Sequence, residues 1–185
     1  MKIEEGCCYH IYNRGNNKGK IFFEDGNYIF FLRQFKNYVL PSVDVFAYCL
    51  MPNHFHFFIR VNDGLNYEKG IKNMLISYTK AINQSYNRVG SLWQGRYKSK
   101  KVDSEAYYTR IIIYIHQNPL TSGLAKKMEG YKYSSFSSYL SDEPSSICKS
   151  EVLEWFGDLA GLAGFITGHK INEKWVFALA QLPES

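Results

Sequence analysis

A chain of 185 residues, 45% of them hydrophobic, is long enough for one domain with a short appendage and can bury a core without covalent staples. The four cysteines, Cys7, Cys8, Cys49 and Cys148, contain no CxxC pair, which argues against a disulfide framework and a thiolate zinc site and for a reducing, cytoplasmic setting. A formal charge of +5 points to an anionic partner. No run approaches the roughly 20 apolar residues that span a bilayer, so no membrane association is expected.

In chain order, residues 9–13 read as a first strand and NRGNNKGK as a polar loop. Tyr28, Phe31, Leu32, Phe35, Tyr38 and Val39 recur at helical spacing, which predicts a helix over about 26–39 with Asp25 as its cap. Strands follow at 43–50 and 54–61, joined by a turn at Met51-Pro52-Asn53. Ile71, Met74, Leu75, Tyr78 and Ile82 form the apolar stripe of a second helix over about 67–88. Residues 96–102 make a fourth strand. A third helix, capped by Asp103 or Ser104, is expected to end near Asn118, because Pro119 restricts the residue before it.

The order β-α-β-β-α-β is that of an α+β, ferredoxin-like (split βαβ) antiparallel sheet. Its first and third strands are central and both crossover helices cover one face. The third helix is then free to lie on the other face. Residues 134–150 are rich in serine and read as a surface connection. Residues 151–180 turn apolar again, with Trp155, Phe156, Leu159, Leu162, Phe165, Ile166 and Trp175. We therefore divide the chain into a domain over 1–140 and a helical extension over 141–185.

Alternation sorts HFHFFIRV into two faces: Phe55, Phe57, Ile59 and Val61 toward the crossover helices, and His54, His56, Phe58 and Arg60 toward the uncovered side. Two imidazoles on one rigid strand can converge on one cation. On the third helix Tyr114 and Asn118 are four residues apart and project together, continuing a stripe from Tyr107 and Ile111, whereas His116 lies off it. If that helix packs on the open sheet face, Asn118 can complete a metal site beside Tyr114. Gln117, next in the chain, is the other amide in reach. Two imidazoles, an amide oxygen and waters suit Mg²⁺ or Mn²⁺. Such an ion would offset the weakness of a phenol as nucleophile and of a phosphodiester as electrophile, and cleavage would leave a 5′-phosphotyrosine and a free 3′-hydroxyl. The segment RVGSLWQGRYKSKKV, residues 88–102, carries five cations and no acid, with Trp93 and Tyr97 among them, a mixture suited to single-stranded nucleic acid.

With YHIYNRG, MPNHFHFFIRV, GSLWQGRYKSKKV and YIHQNPLTSGL in this order, the chain resembles the single-tyrosine transposases of the His-hydrophobic-His endonuclease superfamily, most of all the REP-associated tyrosine transposases. The resemblance covers about the first 140 residues. It implies metal-dependent cutting and joining of single-stranded DNA beside small imperfect hairpins, with His54, His56 and Asn118 as ligands and Tyr114 as nucleophile. It also implies a hairpin substrate, for which Arg14, Lys18, Lys20, Arg96, Lys98 and Lys100 are candidate phosphate contacts and Trp93 a candidate stacking platform. A monomer and a homodimer both fit. Two alternatives stay open: a non-catalytic nucleic-acid-binding module that stacks bases on sheet aromatics such as Phe58, and a replication-initiator nickase of the same superfamily.

Overall fold

Strand β3 (His54–Val61) alternates apolar and polar side chains and is paired on both flanks, so it sets the position of everything around it. The computed structural model describes residues 3–168, and the side chains of 3–164. In it, β3 lies between β1 (Cys8–Arg14) and β2 (Val43–Met51), and β4 (Lys98–Val102) pairs with the far side of β1. All three pairings are antiparallel, in the order β2-β3-β1-β4, the ferredoxin-like arrangement with the first and third strands central.

The crossover helices α1 (Asp25–Tyr38) and α2 (Gly64–Ser85) pack together on one face. The cap of α1 is Glu24 rather than Asp25, in a reciprocal box with Asn27, whose Oδ1 accepts from the backbone N–H groups of Phe23 and Glu24. Helix α2 begins before its first apolar position because the Asp63 carboxylate accepts from the Asn66 N–H. Gly70 lets the two helices approach, since a Cβ there would sit 2.0 Å from the Tyr38 carbonyl oxygen. Between helices and sheet lies an aromatic core in which Phe35 stacks on Phe57 at 4.2 Å and Phe31 meets Phe55 and Tyr78.

Helix α3 (Glu105–Thr121) crosses the opposite face, against β2 and β3. It runs one turn past Asn118 with Pro119 inside it. A proline this close to the end removes one backbone bond only, and the Ser122 N–H closes on the Asn118 carbonyl. The chain then returns along the outer edge of β2, with Tyr133, Ser135 and Cys148 bonded to Leu50, Tyr48 and Val45, which covers strand groups that would otherwise be open to another chain. Three short helices follow: α4 (Phe136–Tyr139), α5 (Lys149–Phe156) and α6 (Leu159–Gly168).

Helix α5 roofs half of the face expected to be open. Trp155 packs on Phe46 and Phe58, and Tyr108 of α3 closes the same cluster. Phe46 reaches this side through a β-bulge between Val45 and Ala47. Arg60 is held between Asp44 and Glu151. Trp175 lies outside the described residues, as do the side chains of Phe165 and Ile166. Among the described residues all four cysteines are free, and no helix is long and apolar enough to cross a membrane.

Candidate active site

The part of this face that α5 leaves uncovered is built from two central strands in register. Tyr12 pairs with His56, Arg14 with His54, and His10 with Phe58, so His10, Tyr12, Arg14, His54 and His56 share one face. The outer strands add Cys49 and Met51 opposite the two β3 histidines, and Lys98 and Lys100 opposite Tyr12 and His10.

From above, α3 lowers Tyr114 and Asn118, one turn apart, onto the histidines. The Tyr114 ring stands edge-on to His56 at 5.3 Å and to His10 at 5.9 Å between centroids, and the rings of His54 and His56 are 5.0 Å apart. The Asn118 side chain is near enough to the His54 ring and the Tyr114 phenol to favour the protonated form of the first and the ionised form of the second. Its Nδ2 donates to the Tyr114 carbonyl at 2.7 Å, which leaves Oδ1 for the other side. Gln117 is buried too, and His116 is fully buried against Ser135, Phe136 and Tyr139, where its Nε2 shares a 2.8 Å hydrogen bond with the Ser135 hydroxyl.

Burial sets the charge states. Desolvation pushes His54 down to about 4, with the Arg14 guanidinium adding to the effect and the Asn118 contact opposing it. His56, 5% exposed, is lowered well below its ordinary value by burial and then by its histidine neighbours. Both rings are therefore neutral at pH 7 and carry one lone pair each. The Nδ1–H of His54 donates to the Asn53 Oδ1 at 2.6 Å, so its lone pair is on Nε2. Neutral imidazoles and a carboxamide gathered in one place offer lone pairs that a cation can take up. The donor set thus fits a hard divalent ion. Among the described residues no trio of His, Cys, Asp or Glu could hold one, so a third protein ligand would have to come from another group such as the amide. Burial raises the Tyr114 phenol, partly countered by Asn118, and keeps it protonated at neutral pH.

Sequence reasoning missed two residues here. Asn53 bridges the site to the basic loop, because its Nδ2 donates to the Lys18 carbonyl while its Oδ1 accepts from His54. His10, 3% exposed, shares a 2.9 Å hydrogen bond with His56 Nδ1. Applying to YHIYNR the alternation already used on HFHFFIRV would have found it.

The candidate DNA contacts divide. Lys18 and Lys20 are exposed on the loop after β1, and Arg14 lies beside His54. Lys98 and Lys100 sit on the histidine face, and the Lys100 Nζ is shielded from solvent without a hydrogen-bond partner. Arg96 does not belong to β4, which starts at Lys98. It is exposed in the preceding turn after Gly95, whose φ of 79° breaks the strand. Trp93 is not a stacking platform: its ring is 8% exposed among Phe31, Phe55 and Tyr78, with Nε1 donating to Thr79 Oγ1 at 2.8 Å. Phe58, at 0% exposure under Trp155, offers no base-stacking surface either.

A solved structure of a REP-associated tyrosine transposase bound to a REP hairpin is similar in fold, with a TM-score of 0.61 and 16% identity over 78% of this chain and 86% of that one. A Deinococcus radiodurans R1 protein whose structure is described as that of a transposase matches with a TM-score of 0.42 and 16% identity over 62% of this chain and 95% of that one, too low a score to bear on the fold. None of the curated proteins compared with the sequence matches it. The sequence model of the IS200-like transposases matches residues 4–118, more than half of the chain and every element that carries the site. The protein is a member of the IS200-like transposase family.

Proposed function

We propose that the protein cuts and rejoins single-stranded DNA beside a hairpin, through a covalent 5′-phosphotyrosine on Tyr114, with His54, His56 and Asn118 holding Mg²⁺ or Mn²⁺. The observation that carries this reading is the delivery of a phenol and a carboxamide, one helical turn apart, onto a pair of neutral imidazoles. A bound divalent ion would supply charge neutralisation at a non-bridging phosphate oxygen. Tyr114 Oη attacks phosphorus in line; the bond to the 3′ oxygen breaks as the new O–P bond forms. The phenol gives up its proton and the departing oxygen takes one, leaving a 3′-hydroxyl. Because the phosphate ester is conserved, a second 3′-hydroxyl can reverse the step and join a new strand.

Asn118 does two tasks in this scheme: Oδ1 serves the ion, and its contact with the phenol holds Tyr114 beside it. Arg14 on β1, Lys18 and Lys20 on the loop after it and Lys98 on β4 suit the phosphates of a bound strand, with the shielded Lys100 Nζ adding positive charge behind them. The hairpin held by the similarly folded transposase supports the same class of substrate here. The purely binding reading loses its platform with Phe58 buried.

Incubation of the protein with labelled single-stranded DNA flanking an imperfect hairpin, in Mn²⁺, should give a covalent adduct on a denaturing gel. Tyr114→Phe should reduce it by more than about 1,000-fold, and a chelator should abolish it. An adduct that survives in Tyr114→Phe removes the nucleophile assignment; intact strands held equally with and without chelator would mark a binding module.

A further inference from the structure

The metal-site reading leaves one buried group unused. His10 sits on β1, one strand away from His56, and is packed between Tyr12, stacked at 4.8 Å, and the edge of Tyr114. Its Nε2 is 2.9 Å from His56 Nδ1, and the two rings are nearly parallel at 5.1 Å. Among the described residues no three His, Cys, Asp or Glu side chains are placed to share a cation, and the Nε2 of His10 is already engaged by His56.

The geometry points to His10 as the positioning residue for the metal site: it accepts the Nδ1–H of His56, fixing the ring plane and the tautomer that turn the His56 Nε2 lone pair toward the ion. This rests on the metal-site reading above.

Two neutral rings meeting nitrogen to nitrogen share one proton. If it were on His10, His56 would carry its own proton on Nε2 and could not ligate through that atom. If it is on His56 Nδ1, Nε2 is bare and His10 is the acceptor. The same logic is visible next door, where His54 Nδ1 is tied to Asn53 Oδ1. Each β3 histidine thus has its own acceptor on the inner nitrogen, as outer partners of metal-binding histidines generally do.

The test uses the whole protein and Mn²⁺ binding, read from the loss of the free-ion EPR signal. His10→Phe keeps the ring volume and removes the acceptor; affinity should fall about 10- to 100-fold with the circular dichroism spectrum unchanged. His10→Gln, whose Oε1 can accept from Nδ1–H, should recover most of it. Wild-type affinity in His10→Phe overturns the proposal. So does an equal loss in both variants, which would make the second nitrogen itself a ligand. Should His10→Phe fail to fold, long-range ¹H–¹⁵N spectra of the Mg²⁺-loaded wild type decide: His56 must be protonated at Nδ1 and bare at Nε2, and the reverse tautomer sinks the role. His56→Ala separates the two levels. Unchanged Mn²⁺ binding in His56→Ala would strike the metal site itself, whereas loss in His56→Ala with wild-type affinity in His10→Phe would strike only His10.

Discussion

Strand β3 presents four side chains to one face, and the two halves of that row have opposite fates. His54 and His56 end beneath Tyr114 and Asn118 in a polar pocket that keeps unpaired atoms: the shielded Lys100 Nζ and the His10 Nδ1 have no partner. Phe58, two residues further on, is sealed by Tyr108 and Trp155, and Arg60, four further on and partly exposed, has both guanidinium edges matched to carboxylates. Alternation chose the face for all four. What packs over each half chose between chemistry and cohesion. Orphaned polar atoms are costly in a dry interior, so the Lys100 Nζ and the His10 Nδ1 sit where a ligand's polar groups could satisfy them.

The largest effect is expected at the two histidines. Replacing His54 or His56 with Ala should weaken Mn²⁺ binding by more than the 10- to 100-fold typical of an outer partner while leaving the urea midpoint close to wild type; titration of free Mn²⁺ reads the first and denaturation the second. In the sealed half the pattern should invert. Trp155→Ala opens the contact with Phe46 and Phe58, and its partial exposure keeps the loss to about 2–3 kcal/mol, below that of a fully buried aromatic. Mn²⁺ affinity should not move, and a parallel fall in affinity would mean the two halves are coupled.

Acid sharpens the same contrast. His54 is held at about 4 and His116 at about 3, below the ordinary value near 6.5 that they regain on unfolding. Between these limits the unfolded chain binds more protons, so stability present above about pH 6.5 is lost as the pH falls toward 4. The urea midpoint should drop across that window. Saturating Mn²⁺ should restore part of it, since the ion competes with protons at His54 and His56 and cannot reach His116. Full restoration, or none, would contradict the separation. The smallest effect belongs to the ion pair: Glu151→Gln should cost about 1 kcal/mol or less, because both partners are about one-third exposed and Asp44 still holds Arg60.

The amino-acid sequence determined the periodic parts by itself. Period-two alternation in HFHFFIRV and the i, i+4 spacing of Tyr114 and Asn118 specify which side chains travel together, because each depends only on local backbone geometry. The strand order followed from the sequence of elements through short, right-handed connections. Element ends were less legible where a polar cap, Glu24 or Asp63, starts a helix before its apolar stripe does. Only the tertiary structure decided which rings would be wet. Trp93 and Phe58 look like DNA-facing aromatics in the chain, and they are buried because Phe31 of α1 and Trp155 of α5, distant in sequence, pack against them. His10 entered the site through β1–β3 register and Asn53 through a turn that folds back on the basic loop. Alternation along β1 puts His10 on its face, but its contact with His56, like that of Asn53 with Lys18, depends on segments whose approach no local pattern encodes.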